Sequence, residues 1–225
     1  MDRTAARATL GRMQNPVRGL LNGAAALLSA VGAAALCARG GGDLSQQSAL
    51  LIFGLSLVCL YTVSSLYHSV PWSQVWKQRF QRIDHSMIYV LIAGTYTPIA
   101  AIILDGWLRW AALGTVWGIA AVGTVQKTFM TQLGHRFSVT LQVIQGWLAV
   151  LLLAPLSQRL PWPALLLLLL GGLLYMVGMV AYATKRPRLW PHVFSYHEVF
   201  HVFVVAGSAA HYAMTFAYVA SFGAV

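Results

Sequence analysis

Charged positions are rare along this chain, and they punctuate long apolar runs. Uncharged intervals extend from Arg18 to Arg39, Asp43 to Lys77, Asp84 to Asp105, Arg109 to Lys127, Arg136 to Arg159, Arg159 to Lys185, and from Glu198 to the C-terminus. A helix crossing a bilayer needs about 20 residues, with roughly 17 tolerated, and every interval reaches that length; the fourth is the shortest. The runs are rich in Leu and Ala and lack the in-and-out alternation of a lipid-facing strand. Without water, backbone polar groups must be satisfied within the segment, so these runs predict helices. The expected fold is all-α and integral to the membrane: a seven-transmembrane helix bundle. It forms one domain over residues 1–225, with spans near 19–38, 48–68, 84–104, 109–126, 138–157, 163–184 and 197–219.

Composition agrees with this pattern. The chain is 58% hydrophobic and 9% charged, whereas a soluble domain carries roughly 25% charged residues. Its net charge of +10 raises the question of nucleic acid, but the distribution argues for topology instead. Of the 15 basic residues, all but Arg39, Arg109 and Arg159 fall on one side. These are Arg3, Arg7, Arg12 and Arg18 before the first span, Lys77, Arg79 and Arg82 after the second, Lys127 and Arg136 after the fourth, and Lys185, Arg186 and Arg188 after the sixth. The positive-inside rule then puts the N-terminus in the cytoplasm and the C-terminus outside.

Several features refine the picture. Asn15 and Pro16 precede the first apolar run, and Cys37-Ala38-Arg39-Gly40 is a poor cleavage site, so that run is expected to stay as a permanent helix. Cys37 and Cys59 form neither a disulfide framework nor a CxxC metal pair. Trp72, Trp76 and Trp190 flank spans on one side and Trp107, Trp110 and Trp162 on the other, as interfacial belts do. Gly19-xxx-Gly23 and Gly114-xxx-Gly118 offer two places for close helix approach. Pro98 is expected to kink the third span, Pro155 to lie near the end of the fifth, and His135 and His192 to lie in loops.

Candidate chemistry is concentrated at one depth. His197-Glu198-Val199-Phe200-His201 reads as HExxH, the pattern that gives soluble metalloproteases two zinc ligands and a general base. The alternating topology places His68, Asp84, His197 and His201 all near the cytoplasmic ends of their helices. Singly, each has a plainer reading. A histidine at a helix end is commonly interfacial, and Asp84 can pair with Arg82 or Arg79 or favour its helix N-terminus. Together they can converge in the bundle core, where ionisable groups are costly and mark function. His197 and His201 are one turn apart on one face. Ser64 lies one turn deeper than His68 on the same face. Three imidazoles with a fourth position left open make a catalytic zinc site, with Asp84 as a carboxylate beyond the direct ligands. His85 points about 100° away from Asp84, and His211 lies roughly 15 Å deeper than His201, where a hydrogen bond between helices is expected.

"NPVRGLLNG", "SSLYHSVPW", "RIDHSMIYVLIAGTYTP" and "YHEVFHVFVVAGSAAHY" occur in this order along the chain. In them the sequence resembles the hemolysin III family, within the progestin and adipoQ receptor group that includes the adiponectin receptors. The resemblance implies seven helices with a cytoplasmic N-terminus. It also implies a zinc ion held by His68, His197 and His201, with Asp84 bound through water and Ser64 close by. One departure is visible: many members carry a histidine in the first helix where Asn22 aligns. HExxH is then better read as HxxxH. A protease with metzincin spacing would need its third ligand at Gly207, and Leu104-Asp105-Gly106, like a site-two protease motif, precedes the histidines and lies on the other side.

The functional expectation is a zinc-dependent membrane hydrolase of a lipid amide or ester, with a zinc-activated water. The receptor relatives imply ceramide-like amides. Asp84 would orient or deprotonate the water, Glu198 would serve as a nearby partner or alternative base, and Ser64 would hydrogen-bond the substrate or developing oxyanion. A membrane lipid is the expected partner, nucleic acid is not, and the location is the cell membrane, multi-pass (the inner membrane in a bacterium). The alternatives are a sensor or homeostasis protein with a structural zinc, or a cytolysin. The topology has its own test: a reporter fused after Val225 should read as external, and one within the Lys77–Arg82 loop as cytoplasmic. Both on the same side would contradict seven crossings.

Overall fold

The computed structural model describes residues 13–41, 43–129, 135–190 and 193–222, without the side chains of His135 and Arg136. Arg3, Arg7, Arg12, His192 and Val225 lie outside the described residues. Seven helices follow one another: α1 (Pro16–Arg39), α2 (Leu44–Ser69), α3 (Gln74–Pro98), α4 (Gly106–Phe129), α5 (His135–Ser157), α6 (Trp162–Thr184) and α7 (Tyr196–Met214). Each is long and apolar enough to cross a membrane.

Charge gaps locate apolar intervals, not helix ends, and the differences follow from that. α3 starts at Gln74, so Lys77, Arg79 and Arg82, expected in a loop, ride on helical turns. Hydrogen bonding continues through polar residues wherever water or headgroups can solvate them. His135, also expected in a loop, is the first residue of α5. Pro98 ends the regular part of α3, and the chain continues as π-helical turns over Ile99–Ile103. Proline has no N–H to give the preceding turn, which widens as a result. α7 ends similarly, in π-helical turns over Thr215–Val219, and the two widened segments pack together.

α1 and α2 form a tight antiparallel pair. A Cβ on Gly54 would lie 2.5 Å from the Ala33 Cβ, so only glycine permits the approach. Gly19 and Gly23 also belong to this contact, facing Ser69 and Ser65 of α2; Ser65 Oγ donates to Gly19 O at 2.9 Å. The Gly114–Gly118 pair does not behave as expected. Both face open space, because that side of α4 points away from the other helices.

Large apolar side chains cover the outside of the bundle: Leu27 and Leu151 are both 74% exposed. Many polar side chains point inward, among them Gln126, Gln142, Gln145 and Ser208. Lipid cannot satisfy a hydrogen bond, so polar groups partner one another inside. Gln145 donates to Tyr89 O at 3.2 Å and Val116 O at 3.0 Å, tying α3, α4 and α5 together. At one end Asp105 is held between Arg109 and Arg159. Arg79 and Arg82 lie at the other end, where the histidines gather.

Candidate metal centre

His68 lies in the last turn of α2, and His197 and His201 occupy the first turns of α7. Their ring centroids form a triangle: 5.3 Å from His68 to His197, 5.0 Å from His68 to His201, and 5.1 Å from His197 to His201. One ligand nitrogen on each ring lies within 4.8 Å of the other two. The two α7 rings are neighbours through their one-turn spacing and lie nearly parallel, at 7°. His68 stands edge-on to both, at 87° and 86°, so a ring from a second helix presents its nitrogen to the same point.

Within the protein alone this cluster is incomplete. His68 Nε2 and His201 Nε2 are buried without a hydrogen-bond partner, and such an atom costs about 1–3 kcal/mol. Asn22 Nδ2 lies 3.3 Å from His201 Nδ1 and donates to Arg18 O at 2.8 Å. The amide fixes one edge of the ring and leaves Nε2 to face the other histidines. Three close imidazoles with orphaned nitrogens fit a metal that prefers nitrogen, and zinc suits them better than magnesium or calcium.

The other expected residues are placed as follows. Ser64 is buried one turn above His68, and its hydroxyl has no partner in hydrogen-bonding geometry. Asp84, also buried, faces Ser64 across the α2–α3 contact. The cationic partners expected for Asp84 are engaged elsewhere: Arg79 lies 4.9 Å from the Trp76 ring centroid, and Arg82 donates to Thr128 O at 3.5 Å. Glu198 is buried but turned away from the triad. Its Oε1 accepts from Arg18 Nε at 2.6 Å and its Oε2 from Ser195 N at 2.8 Å. One residue past His197, it points about 100° round the helix, and its geometry is that of a brace between α1 and the start of α7. His85 lines the neighbouring cavity outside the triad.

A cavity of about 510 Å³ opens beside the triad, within the usual range for a ligand site. Asn22, Ser64, Asp84, His197 and His201 line one end, and mostly apolar side chains of α3, α5 and α6 form the walls. Trp147 and Val150 of α5 and Leu169 and Leu173 of α6 line the cavity and are also exposed on the outside of the bundle. The wall is therefore open toward the lipid-facing surface between α5 and α6.

Arg18 escaped the reading of the sequence as a site residue, and Asn22 entered it only as the position where the resemblance implies a histidine. A signal was present: an amide stands in a span of Leu, Ala and Gly, one turn after an arginine. His211 was expected to hydrogen-bond between helices, yet its Nδ1 has no partner. Its ring instead rests on Gly171 and against Tyr175.

A seven-helix membrane protein with a buried three-histidine cluster beside an apolar cavity is the class that fold and site define. The chain belongs to the Haemolysin-III related family, whose family model matches residues 12–212. It is 38% identical to Hemolysin-3 of Bacillus cereus over 168 residues, 75% of this chain and 74% of that protein. It is 40% identical to the Hemolysin-3 homolog of Bacillus subtilis (strain 168) over 159 residues, 71% of each chain. A more distant relative is the human monocyte to macrophage differentiation factor, 25% identical over 198 residues, covering 83% of this chain and 76% of that one.

The convergence can be tested with metal. Purified protein should carry about one zinc per chain, measured by elemental analysis. His68→Ala should weaken binding as much as His201→Ala, although the two are far apart in sequence. Loss confined to the α7 histidines would contradict a shared site.

Proposed function

We propose that this protein is a zinc-dependent hydrolase that cleaves an amide or ester of a membrane lipid. One observation carries the reading: His197, His201, Asp84 and Ser64 line one end of a mostly apolar cavity that opens toward lipid, and His68 completes the histidine cluster there. His68, His197 and His201 would hold the metal, which when bound would polarise a carbonyl and make water nucleophilic near neutral pH.

The remaining work falls to the chain itself. The acyl chain enters between α5 and α6 and lies along the apolar walls, which sets the scissile carbonyl at the polar end. Asp84 removes a proton from the attacking water as its oxygen bonds to the carbonyl carbon. Ser64 donates a hydrogen bond to the oxygen on which negative charge develops. When the carbon–nitrogen or carbon–oxygen bond breaks, Asp84 returns the proton to the leaving amine or alcohol. The products are a fatty acid and the released head. Asn22 fixes the His201 ring, and the Arg18–Glu198 pair braces α1 against the start of α7. With the orientation read from the basic residues, this chemistry takes place near the cytoplasmic face of the cell membrane.

A second reading has its own support. The histidines come from α2 and α7, which are far apart in sequence, so a bound zinc would also clamp the bundle as in a sensor or homeostasis protein. The relatives' name, Hemolysin-3, points to lysis, but a mostly apolar cavity beside the histidine cluster favours a bound lipid over a pore.

Asp84→Asn separates hydrolysis from clamping. It keeps the shape and removes the basicity. Zinc should remain with at most about a 10–100-fold loss of affinity, while hydrolysis of a ceramide or lipid-ester panel should fall on the order of 10²–10⁴. A metal-loaded, stable Asp84→Asn protein with full activity would overturn the hydrolytic reading. A clamp instead predicts that phenotype follows zinc occupancy and melting temperature, whatever stands at position 84.

A further inference from the structure

The inward face of α7 carries more than metal ligands. His197, His201, Val204, Ser208 and His211 recur at alternating steps of four and three, so they form one stripe along the helix. His201 and His211 both line the cavity. They are about 15 Å apart along the axis, at 1.5 Å per residue. The stripe thus ends in a second polar group far from the triad but within the same cavity.

This second group has a hydrogen-bonding vacancy. His211 is 5% exposed, and its Nδ1 has no partner. The ring is not there as filler: it lies flat against Gly171, where a Cβ would come within 2.6 Å of Nε2. Beside it stands Tyr175, with ring centroids 5.4 Å apart. Tyr175 Oη lies 2.9 Å from Ser208 Oγ, and Tyr61 donates to the same oxygen at 2.7 Å. Two phenols and a hydroxyl from α2, α6 and α7 therefore converge next to an unpartnered imidazole nitrogen. Tyr61, Tyr175 and His211 all line the cavity, while the neighbouring Leu91, Leu168 and Ile99 are apolar.

We propose that His211, with Tyr61 and Tyr175, forms a distal subsite for a hydroxyl carried within the lipid's acyl chain. This rests on the reading that the cavity holds such a chain. A hydroxyl both donates and accepts, which matches an imidazole nitrogen beside phenols. An unsubstituted chain would leave the nitrogen without a partner, so it should bind more weakly than a hydroxylated one. The metal end reads the bond to be cut, and the distal end reads where oxygen lies along the chain, roughly 15 Å away. The preferred substrate class is thus an amide or ester of a mid-chain hydroxylated fatty acid.

The test is a binding comparison between oleate and ricinoleate, which share length and double bond and differ by one mid-chain hydroxyl. Affinities are measured for the purified zinc-loaded protein in detergent by tryptophan fluorescence. Wild type should bind ricinoleate about five- to tenfold more tightly, the worth of one buried hydrogen bond. His211→Leu should lose that preference and keep its oleate affinity. Tyr175→Phe, which preserves packing, should reduce the preference, and melting temperatures verify that both variants fold. Equal affinity of wild type for the two fatty acids, with both clearly bound, would overturn the distal subsite alone and leave the lipid cavity standing. Binding of neither would overturn the lipid-cavity reading and this inference with it.

Discussion

The structure turns on three imidazoles drawn to one point inside a bundle that faces lipid. A histidine nitrogen buried without a partner is unfavourable anywhere, and more so where water cannot reach it. Two orphaned nitrogens in one cluster therefore place a demand on everything around them. Such a cluster can hold a metal ion, provided the helices keep three rings aimed at one point. The glycine contact between α1 and α2 and the brace from Arg18 to Glu198 serve that aim. His68 comes from the end of one helix and His197 and His201 from the start of another, so small shifts of either helix would separate them.

The brace is informative in its own right. Arg18 and Glu198 form a close, largely buried pair, and Glu198 also caps the start of α7. Removing one member of a buried pair leaves the other charge uncompensated and costs about 3–5 kcal/mol. The same helix supplies Asn22 to His201. α1 therefore supports the histidine cluster through residues behind the rings, and partners of this kind typically tune metal affinity by about 10–100-fold where a metal binds. The Asn22 amide holds one edge of the His201 ring.

Much of this was legible in the chain. Seven helices followed from the spacing of charges, since lipid admits long uncharged helices and little else. The convergence of His68 with His197 and His201 followed from topology: alternating crossings put them at one depth despite their separation. Helix ends were less legible, because α3 continues through Lys77 and Arg82 where apolarity stops but hydrogen bonding does not. Gly114 and Gly118 look like a packing motif and face open space, because spacing alone does not say which side of a helix meets a neighbour. Glu198 sits inside HExxH, yet its oxygens serve Arg18 and Ser195, as only the three-dimensional neighbours reveal. The polar group around His211 was missed for a related reason. Tyr61, Tyr175 and Ser208 are unremarkable on their separate helices and acquire meaning only when those helices meet.

The central claim is that three imidazoles from two distant helices share one metal. Zinc K-edge X-ray absorption on the purified protein examines that coordination directly. The account requires light-atom neighbours at about 2.0–2.1 Å, with the outer-shell scattering of three imidazole rings. Substitution of His68 by Ala should leave any residual spectrum with two rings. A sulfur neighbour, or a spectrum without imidazole scattering, would contradict it.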